Sequence, residues 1–188
     1  AMKGEIFQYD DCQQIDDDEI PSGLKIFTGT DLAVGEKKKN DQFAQVAVGV
    51  SEKGDYYVLE IYAGHIRFKA QKEKFGEMYK RHDPIRAGIE TNGYQAVLKS
   101  ELKADDKDYR ILPINTSVDK VTRAWKLSAL FEDKRVFFRR NMNELIDQLV
   151  LFPNYRWDDL FDALDIAIQT SKRRRLRSGR EKEPGLSW

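Results

Sequence analysis

Cysteine and histidine are scarce in this sequence of 188 residues, and long apolar runs are missing. The single cysteine, Cys12, excludes an internal disulfide and any zinc site built from several cysteines. The two histidines, His65 and His82, are too few to form a zinc site on their own. Any metal ion must therefore be bound mainly by carboxylates. Because no segment approaches the roughly 18 to 20 apolar residues that span a bilayer, we expect no membrane partner.

Net charge is also lacking, since 32 Lys and Arg residues balance 32 Asp and Glu residues. A neutral chain does not attract nucleic acid as a whole, so any DNA contact must depend on local basic clusters. The charges are unevenly placed, with an acidic beginning and a basic end. We therefore expect an acidic linker over residues 1–21, one folded domain over 22–171 and a basic tail over 172–188, with both ends in solvent.

The first half of the chain carries short β-prone runs at residues 24–33, 43–50 and 56–62, separated by turn-forming residues. This pattern predicts three consecutive strands that pair antiparallel. From Ile66 onward the apolar residues follow helical spacing, which predicts a helix that ends near His82.

The second half alternates between strand and helix patterns. Strands are predicted at residues 85–89, 109–114 and 135–138, and helices at residues 94–102, 118–131, 144–151 and 158–171. Such alternation is typical of parallel strands joined by crossover helices. The sequence therefore predicts an α/β fold in which one mixed sheet, antiparallel first and parallel later, is covered by helices on both faces.

Two carboxylates stand at the predicted ends of strands. Asp31 lies among apolar residues in the first strand, where a charge is costly unless it is paired or bound to a metal ion. The alternative is an edge residue that faces water. Glu90 closes a later apolar strand, and ligands of open α/β sheets gather at this end of their strands. The alternative is a carboxylate that caps the next helix.

Three aspartates, Asp158, Asp159 and Asp162, crowd the start of the last predicted helix. Asp158 or Asp159 could serve as the helix cap. Asp158 and Asp162 lie one turn apart on one face, however, and the repulsion between them suggests a bound cation. Carboxylate ligands suit Mg²⁺ or Mn²⁺, and two such ions together promote phosphodiester hydrolysis. We therefore expect Asp31, Glu90 and these aspartates to form a metal site.

Several segments carry a family resemblance in their order and spacing. They are Gly29-Thr30-Asp31-Leu32-Ala33, Ile89-Glu90-Thr91-Asn92-Gly93, Lys120-Val121-Thr122-Arg123, Leu130-Phe131-Glu132-Asp133-Lys134-Arg135-Val136, and Phe152-Pro153 followed by Asp158-Asp159-Leu160-Phe161-Asp162-Ala163-Leu164. Together they make residues 22–170 similar to the nuclease domain of a tailed-bacteriophage large terminase subunit. The resemblance implies a ribonuclease H-like fold, shared with Holliday-junction resolvases. It also implies a Mg²⁺- or Mn²⁺-dependent endonuclease that cuts concatemeric viral DNA during genome packaging.

The resemblance also implies roles for individual residues. Asp31 resembles the first-strand aspartate that bridges two metal ions, and Glu90 resembles the acidic residue that binds one of them. Asp158 and Asp159 resemble a double aspartate that completes the metal shell. These four residues make up the expected catalytic set. Asp162 stands where resolvase-like relatives place a further acidic metal ligand.

Proteins of the resembled family act on double-stranded DNA with an ATPase domain, a portal protein and a small terminase subunit in the host cytoplasm. The resemblance implies the same partners and location here. The sequence contains no Gly-x-x-x-x-Gly-Lys-Ser/Thr loop, so we expect no ATP hydrolysis by this chain. Residues 1–21 would then be a linker from an ATPase domain. The tail, residues 172–188, would contact the portal or DNA, or would only keep the chain in solution.

Basic residues near the expected site are candidate DNA contacts. They comprise the loop residues Lys37, Lys38 and Lys39, the helix residues Lys120 and Arg123, and Arg139 and Arg140 at the end of a strand. Each would bind backbone phosphates, unless it only faces solvent.

Aromatic and histidine residues carry weaker signals. Trp157 departs from the family pattern, because many relatives have histidine just before the double aspartate. We expect Trp125 to lie in the core. We expect His65 and His82 to be surface histidines, because neither has an acidic residue at metal-ligand spacing in the sequence.

Two alternatives to a packaging nuclease stay open. A Holliday-junction resolvase or an integrase-like nuclease would use the same carboxylates, and its substrate preference would distinguish it. A docking module that holds DNA or a portal protein without significant catalysis would bind DNA but not cleave it.

Overall fold

A computed structural model describes residues 5–33, 42–90, 98, 100–102 and 108–173, which build one seven-stranded sheet with helices on both faces. The strands are β1 (Gln13–Ile15), β2 (Lys25–Asp31), β3 (Phe43–Val50), β4 (Tyr56–Gly64), β5 (Arg86–Glu90), β6 (Ile111–Ile114) and β7 (Val136–Arg139). The α-helices are α1 (Phe68–His82), α2 (Lys120–Glu132), α3 (Asn143–Val150) and α4 (Asp159–Lys172). Within the described ranges, no helix is long and apolar enough to cross a membrane.

The strands lie in the order β1-β7-β4-β3-β2-β5-β6. Strands β2, β3 and β4 form an antiparallel meander, whereas β5, β6, β7 and β1 are added by parallel pairing. The predicted mixed α/β sheet is therefore confirmed. All strands except β3 run in the same direction, so the carboxyl ends of six strands meet at one edge of the sheet.

Alternate residues of β3 point to opposite faces of the sheet, and each face has its own apolar core. Ala44, Val46 and Val48 belong to the larger core, to which α2, α3 and α4 contribute. Phe43 belongs to the smaller core on the other face, together with Phe75 of α1. Burial on both faces explains why β3 is apolar almost throughout.

Helix α4 lies directly on β2 and β5 because both strands carry a glycine beneath it. Gly29 and Gly88 are paired in register on these neighbouring strands. A Cβ atom on Gly29 would lie 2.0 Å from the carbonyl oxygen of Ala163, and one on Gly88 would lie 1.9 Å from Oγ1 of Thr170. Since Ala163 lies over Gly29, the preceding turn of α4 lies over the end of β2.

The beginning of the chain is part of the fold, and the expectation of a solvated extension is wrong for residues 5–21. Phe7 is 1% exposed and packs edge-to-face on Phe131, with ring centroids 5.1 Å apart. Strand β1 pairs in parallel with β7 and so forms one border of the sheet. The burial of apolar side chains and the pairing of β1 stabilise this segment in the fold, although its composition is acidic. Its proposed origin as a linker from an ATPase domain stays a prediction.

At the other end, α4 closes at Lys172, and residues 174–188 lie outside the described part of the chain. The predicted role of the basic tail therefore stays a prediction. The helix predicted at 94–102 is described only at Leu98 and residues 100–102, which are helical.

One expectation about a single side chain is wrong, and one histidine has a partner that its sequence spacing does not show. Trp125 is 54% exposed, because the buried stripe of α2 runs through Ala124 and Leu127 and leaves Trp125 outside it. His82 does have an acidic partner, since its Nε2 lies 2.6 Å from Oε2 of Glu60.

Candidate metal centre

Asp31 and Glu90 end two adjacent parallel strands and face the same side of the sheet. Thr30 of β2 pairs with Ile89 of β5, so the residues that follow them lie side by side at the edge. Each carboxylate comes two residues after a glycine that lies under α4, and residues two apart on a strand share a face. Both carboxylates therefore lie on the face of the sheet that α4 covers, near the beginning of that helix.

A glutamine from another helix binds the backbone N–H groups at the start of α4. Leu160 and Phe161 donate to Oε1 of Gln148 at 2.9 and 3.3 Å, respectively. Asp158 stands at the cap position, but its side chain makes no capping hydrogen bond. Asp158 is therefore the cap residue by position but does not cap through its side chain, and its carboxylate can serve other contacts.

Two cations of α2 bind aspartates of α4. Nζ of Lys120 lies 2.7 Å from Oδ2 of Asp158 and 2.5 Å from Oδ2 of Asp162. Arg123 binds Oδ1 of Asp162 at 2.8 Å and Oδ2 of Asp165 at 2.7 Å. These five residues form an ion-pair row in which acidic and basic groups alternate along the contact between the two helices.

This geometry changes the interpretation of two candidate DNA contacts. Arg123 is 8% exposed and has two carboxylate partners, so it does not lie at a surface that a duplex can reach. We therefore do not retain Arg123 as a DNA contact. The side chain of Lys120 is 32% exposed, but its ammonium group is directed at two carboxylates.

The remaining candidate DNA contacts lie elsewhere. Arg139 and Arg140, at the end of β7, pair with Asp17 and Asp16. Strand β7 is separated from β2 by β4 and β3. Lys37, Lys38 and Lys39 lie outside the described residues. DNA binding at these five positions stays a prediction.

The pKa of Asp31 responds to several neighbouring carboxylates. Burial raises the pKa of the Asp31 carboxyl well above its usual value. The negative charges of Asp162, Glu90 and Asp159 raise this pKa further. The charge of Lys120 acts in the opposite direction. The site therefore has an excess of negative charge around a poorly hydrated carboxyl group, which a divalent cation would offset.

Asp162 has a different environment. Burial raises its pKa, while the charges of Lys120 and Arg123 work against that shift. Each of its two oxygens lies within 2.8 Å of a cation. Both oxygens of Asp162 are therefore already engaged by cations, although its charge has the largest effect of those that act on Asp31.

In the described part of the chain, three carboxylates with oxygens within 4.8 Å of one another occur only at Asp16, Asp18 and Glu19. All three are exposed, Glu19 accepts the N–H of Asp16 at 2.7 Å, and Asp16 pairs with Arg140. A local backbone contact and an ion pair account for this group. The predicted metal ligands are spaced more widely than these three carboxylates. Two of them, Asp158 and Asp162, form ion pairs with cations of α2.

Three residues that organise the site were missed by sequence reasoning. Thr116 donates its hydroxyl to Oε1 of Glu90. Gln148 binds the start of α4, and Asp165 binds Arg123. A polar residue within the apolar stripe of α3 was the one available signal for Gln148. The other two contacts depend on residues distant in sequence.

Trp157, which departs from the family pattern, lies in a small aromatic and cationic cluster. The guanidinium of Arg156 lies 4.4 Å from the centre of the Trp157 ring. His65, at the end of β4, meets the same ring edge-on with centroids 6.2 Å apart. An imidazole is therefore close to this position, although it comes from the residue that follows β4.

Comparison with known structures gives the same fold. The large terminase nuclease from thermophilic phage G20c, solved with bound magnesium, is 14% identical, with a TM-score of 0.67 over 90% of this chain and 98% of that one. The P22 large terminase nuclease domain is 14% identical, with a TM-score of 0.62 over 92% of this chain and 100% of that one. The HK97 bacteriophage large terminase is 13% identical, with a TM-score of 0.65 over 86% of this chain and 42% of that one. The chain thus spans less than half of a whole large terminase.

No curated protein matches the sequence. A family model described as the terminase RNaseH-like domain matches residues 28–170, which is more than half of the chain. The predicted resemblance and the ribonuclease H-like fold are confirmed by this match and by the shared structure. The chain belongs to the terminase RNaseH-like domain family.

Proposed function

We propose that this chain is a divalent-metal-dependent DNA endonuclease domain that cuts concatemeric viral DNA during genome packaging. The observation that supports the proposal is that Asp31 and Glu90 end adjacent strands and that charges of α4 act on Asp31. The charges of Asp162, Glu90 and Asp159 all act on the half-buried carboxyl of Asp31. The family membership and the metal-bound structures of the G20c nuclease support this function.

Asp31, Glu90, Asp158 and Asp159 are the residues that would hold Mg²⁺ or Mn²⁺. Oxygen donors of this kind suit hard divalent ions, and excess negative charge at Asp31 favours their binding. Two bound ions would activate water and stabilise the departing oxygen of a phosphodiester. Asp162 is the least suitable ligand, because Lys120 and Arg123 already bind its two oxygens.

The chain's own residues set the geometry of this reaction. Asp31 and Glu90 are fixed by strand pairing, and Thr116 orients the Glu90 carboxylate through a hydrogen bond. Gln148 binds the first turn of α4, so Asp158 is not needed as a cap. The site therefore rests on regular secondary structure, which restricts the movement of its carboxylates.

The partners follow from the same proposal. Double-stranded DNA would be the substrate, and the host cytoplasm would be the place of action. An ATPase domain, a portal protein and a small terminase subunit would act with the complete protein.

Digestion of supercoiled plasmid with Mg²⁺, Mn²⁺, Ca²⁺ or chelator tests the activity. We expect cleavage with Mg²⁺ or Mn²⁺ and none with chelator. Asp31→Asn should abolish cleavage without unfolding the domain. Asp18→Asn is the matched control, because it removes an exposed carboxylate from the other acidic group and should cleave normally.

Other outcomes would favour the alternatives. Undiminished cleavage by Asp31→Asn would contradict the assignment of Asp31 to the metal centre. DNA binding without cleavage under every divalent ion would favour a docking module. A strong preference for four-way junctions over linear duplex would favour a resolvase.

A further inference from the structure

Lys120 occupies an unusual place for a surface lysine. It is the first residue of α2, and Asp119 caps that helix by accepting the N–H of Thr122 at 2.9 Å. The backbone of Lys120 is therefore held in place by the capped helix. Its ammonium group lies between Asp158 and Asp162, within 2.7 Å of an oxygen of each.

The two carboxylates that Lys120 binds differ in their other partners. Oδ1 of Asp162 is held by Arg123 at 2.8 Å, and the Asp162 side chain is 13% exposed. The Asp158 side chain is 44% exposed. Asp162 is therefore anchored from two sides, whereas the Asp158 carboxylate is the accessible end of the ion-pair row.

Competition for one oxygen follows from this arrangement. Oδ2 of Asp158 already accepts a full positive charge from Lys120. A divalent ion that uses this oxygen must displace the ammonium group or share the carboxylate with it. Lys120 would keep Asp162 as a partner after giving up Asp158, so the exchange breaks one ion pair and leaves no isolated charge.

We propose that Lys120 is a built-in competitor that lowers the affinity of the metal centre for divalent cations through its ion pair with Asp158. This inference rests on the proposed function, since the cations are those of the proposed nuclease. Lys120 acts through Asp158 and is a positioning residue, not a catalytic one. The remaining ion pairs, from Asp162 to Asp165, keep α2 in place while Lys120 releases Asp158.

The size of the effect follows from exposure. Ion pairs between partly exposed groups are screened by solvent, so the interaction free energy of the Lys120–Asp158 pair is small. We expect its removal to tighten divalent-ion binding by about fivefold. A purely structural role for Lys120 predicts the opposite sign, because a disturbed site binds metal more weakly.

Titration calorimetry of the chain with Mn²⁺ tests the proposal. The variants are Lys120→Met and Lys120→Gln, so that a folding defect in one does not decide the result, and circular dichroism checks the fold of each. Lys126→Met is the matched control, because it removes the same charge from an exposed position on the same helix. We expect tighter binding for both Lys120 variants and a change below about twofold for the control.

Equal or weaker Mn²⁺ binding by the Lys120 variants would overturn the proposal, as would an equal gain in the control. Absence of binding in every variant would overturn it together with the metal centre. Plasmid cleavage is measured in parallel. Wild-type protein that binds Mn²⁺ but never cleaves contradicts the proposed nuclease, while the comparison of affinities still decides the role of Lys120.

Discussion

Oε1 of Gln148 lies 2.9 Å from the backbone nitrogen of Leu160, and this hydrogen bond joins α3 to the first turn of α4. The same oxygen accepts the N–H of Phe161 at 3.3 Å. Gln148 is fully buried. One side chain therefore satisfies two backbone donors that a helix start normally leaves to its own cap residue.

Gln148→Leu should destabilise the domain by about 2 kcal/mol, because it leaves two buried N–H groups without an acceptor. The midpoint of urea unfolding, measured with chelator present, checks this. An unchanged midpoint would mean that the side chain of Asp158 takes over the cap.

Gly29→Ala should destabilise the domain by about 3 kcal/mol, since its Cβ would lie 2.0 Å from the carbonyl oxygen of Ala163 and must push α4 away from the sheet. Thermal unfolding provides the measurement. Gly76→Ala, in the middle of α1, is the control: its Cβ would lie 3.2 Å from the Tyr109 hydroxyl, and alanine favours the helix. Equal losses for the two variants would contradict this account of the helix–sheet contact.

Arg123→Met should cost about 3 to 5 kcal/mol, because Asp162 and Asp165 would each lose a buried cationic partner. Urea unfolding at neutral pH measures the loss. Arg139→Met, which breaks an exposed pair with Asp17, should change stability little. A small effect of Arg123→Met would mean that water reaches the ion-pair row.

In chelator, the contribution of Asp31 to the stability of the chain should fall as the pH rises above about 4. The folded-state pKa of Asp31 is raised above its usual value of 3.8, so between these two values the native state binds more protons than the unfolded state. The contribution of Asp31 to the free energy of unfolding therefore decreases with rising pH in that window. Asp31→Asn should weaken this dependence, as measured by urea unfolding at several pH values.

Asp18→Asn serves as the control for the pH series, because it alters an exposed carboxylate outside the candidate centre. It should follow the wild type. If Asp31→Asn leaves the pH dependence unchanged, the Asp31 carboxyl is better hydrated than its surroundings indicate.

Glu90→Gln should lower the rate of plasmid cleavage strongly, because it removes one charged ligand from the proposed centre. High Mn²⁺ should recover part of the rate if only one ion is weakened. A loss of stability with normal specific activity would instead support the helix-capping alternative for Glu90.

The sheet could be predicted well because its strands carry local patterns. The run at 24–33 became β2, and the run at 43–50 became β3 with the same bounds. Strand β1 was missed because it has three residues, lies in an acidic segment and pairs with a strand more than 120 residues away. No local pattern indicates such a pairing.

In the candidate centre, too, features with a local sequence pattern could be predicted and long-range contacts could not. The positions of Asp31 and Glu90 at strand ends could be predicted because the strands carry local apolar patterns. The partners of Lys120 and Arg123 were not, since a basic residue on a helix face looks the same whether it faces DNA or the aspartates of a helix about 40 residues later. Long-range ion pairs have no periodic signal.

The paired glycines under α4 also affect how a screen of random variants would be interpreted. Substitutions at Gly29 and Gly88 would be recovered with those at Asp31 and Glu90, because all four would abolish cleavage. Neither glycine has a side chain that could bind a metal ion or DNA. A screen that measures only lost activity would therefore count too many residues as ligands of the centre. Measuring the abundance of each variant protein would separate the structural glycines from the proposed ligands.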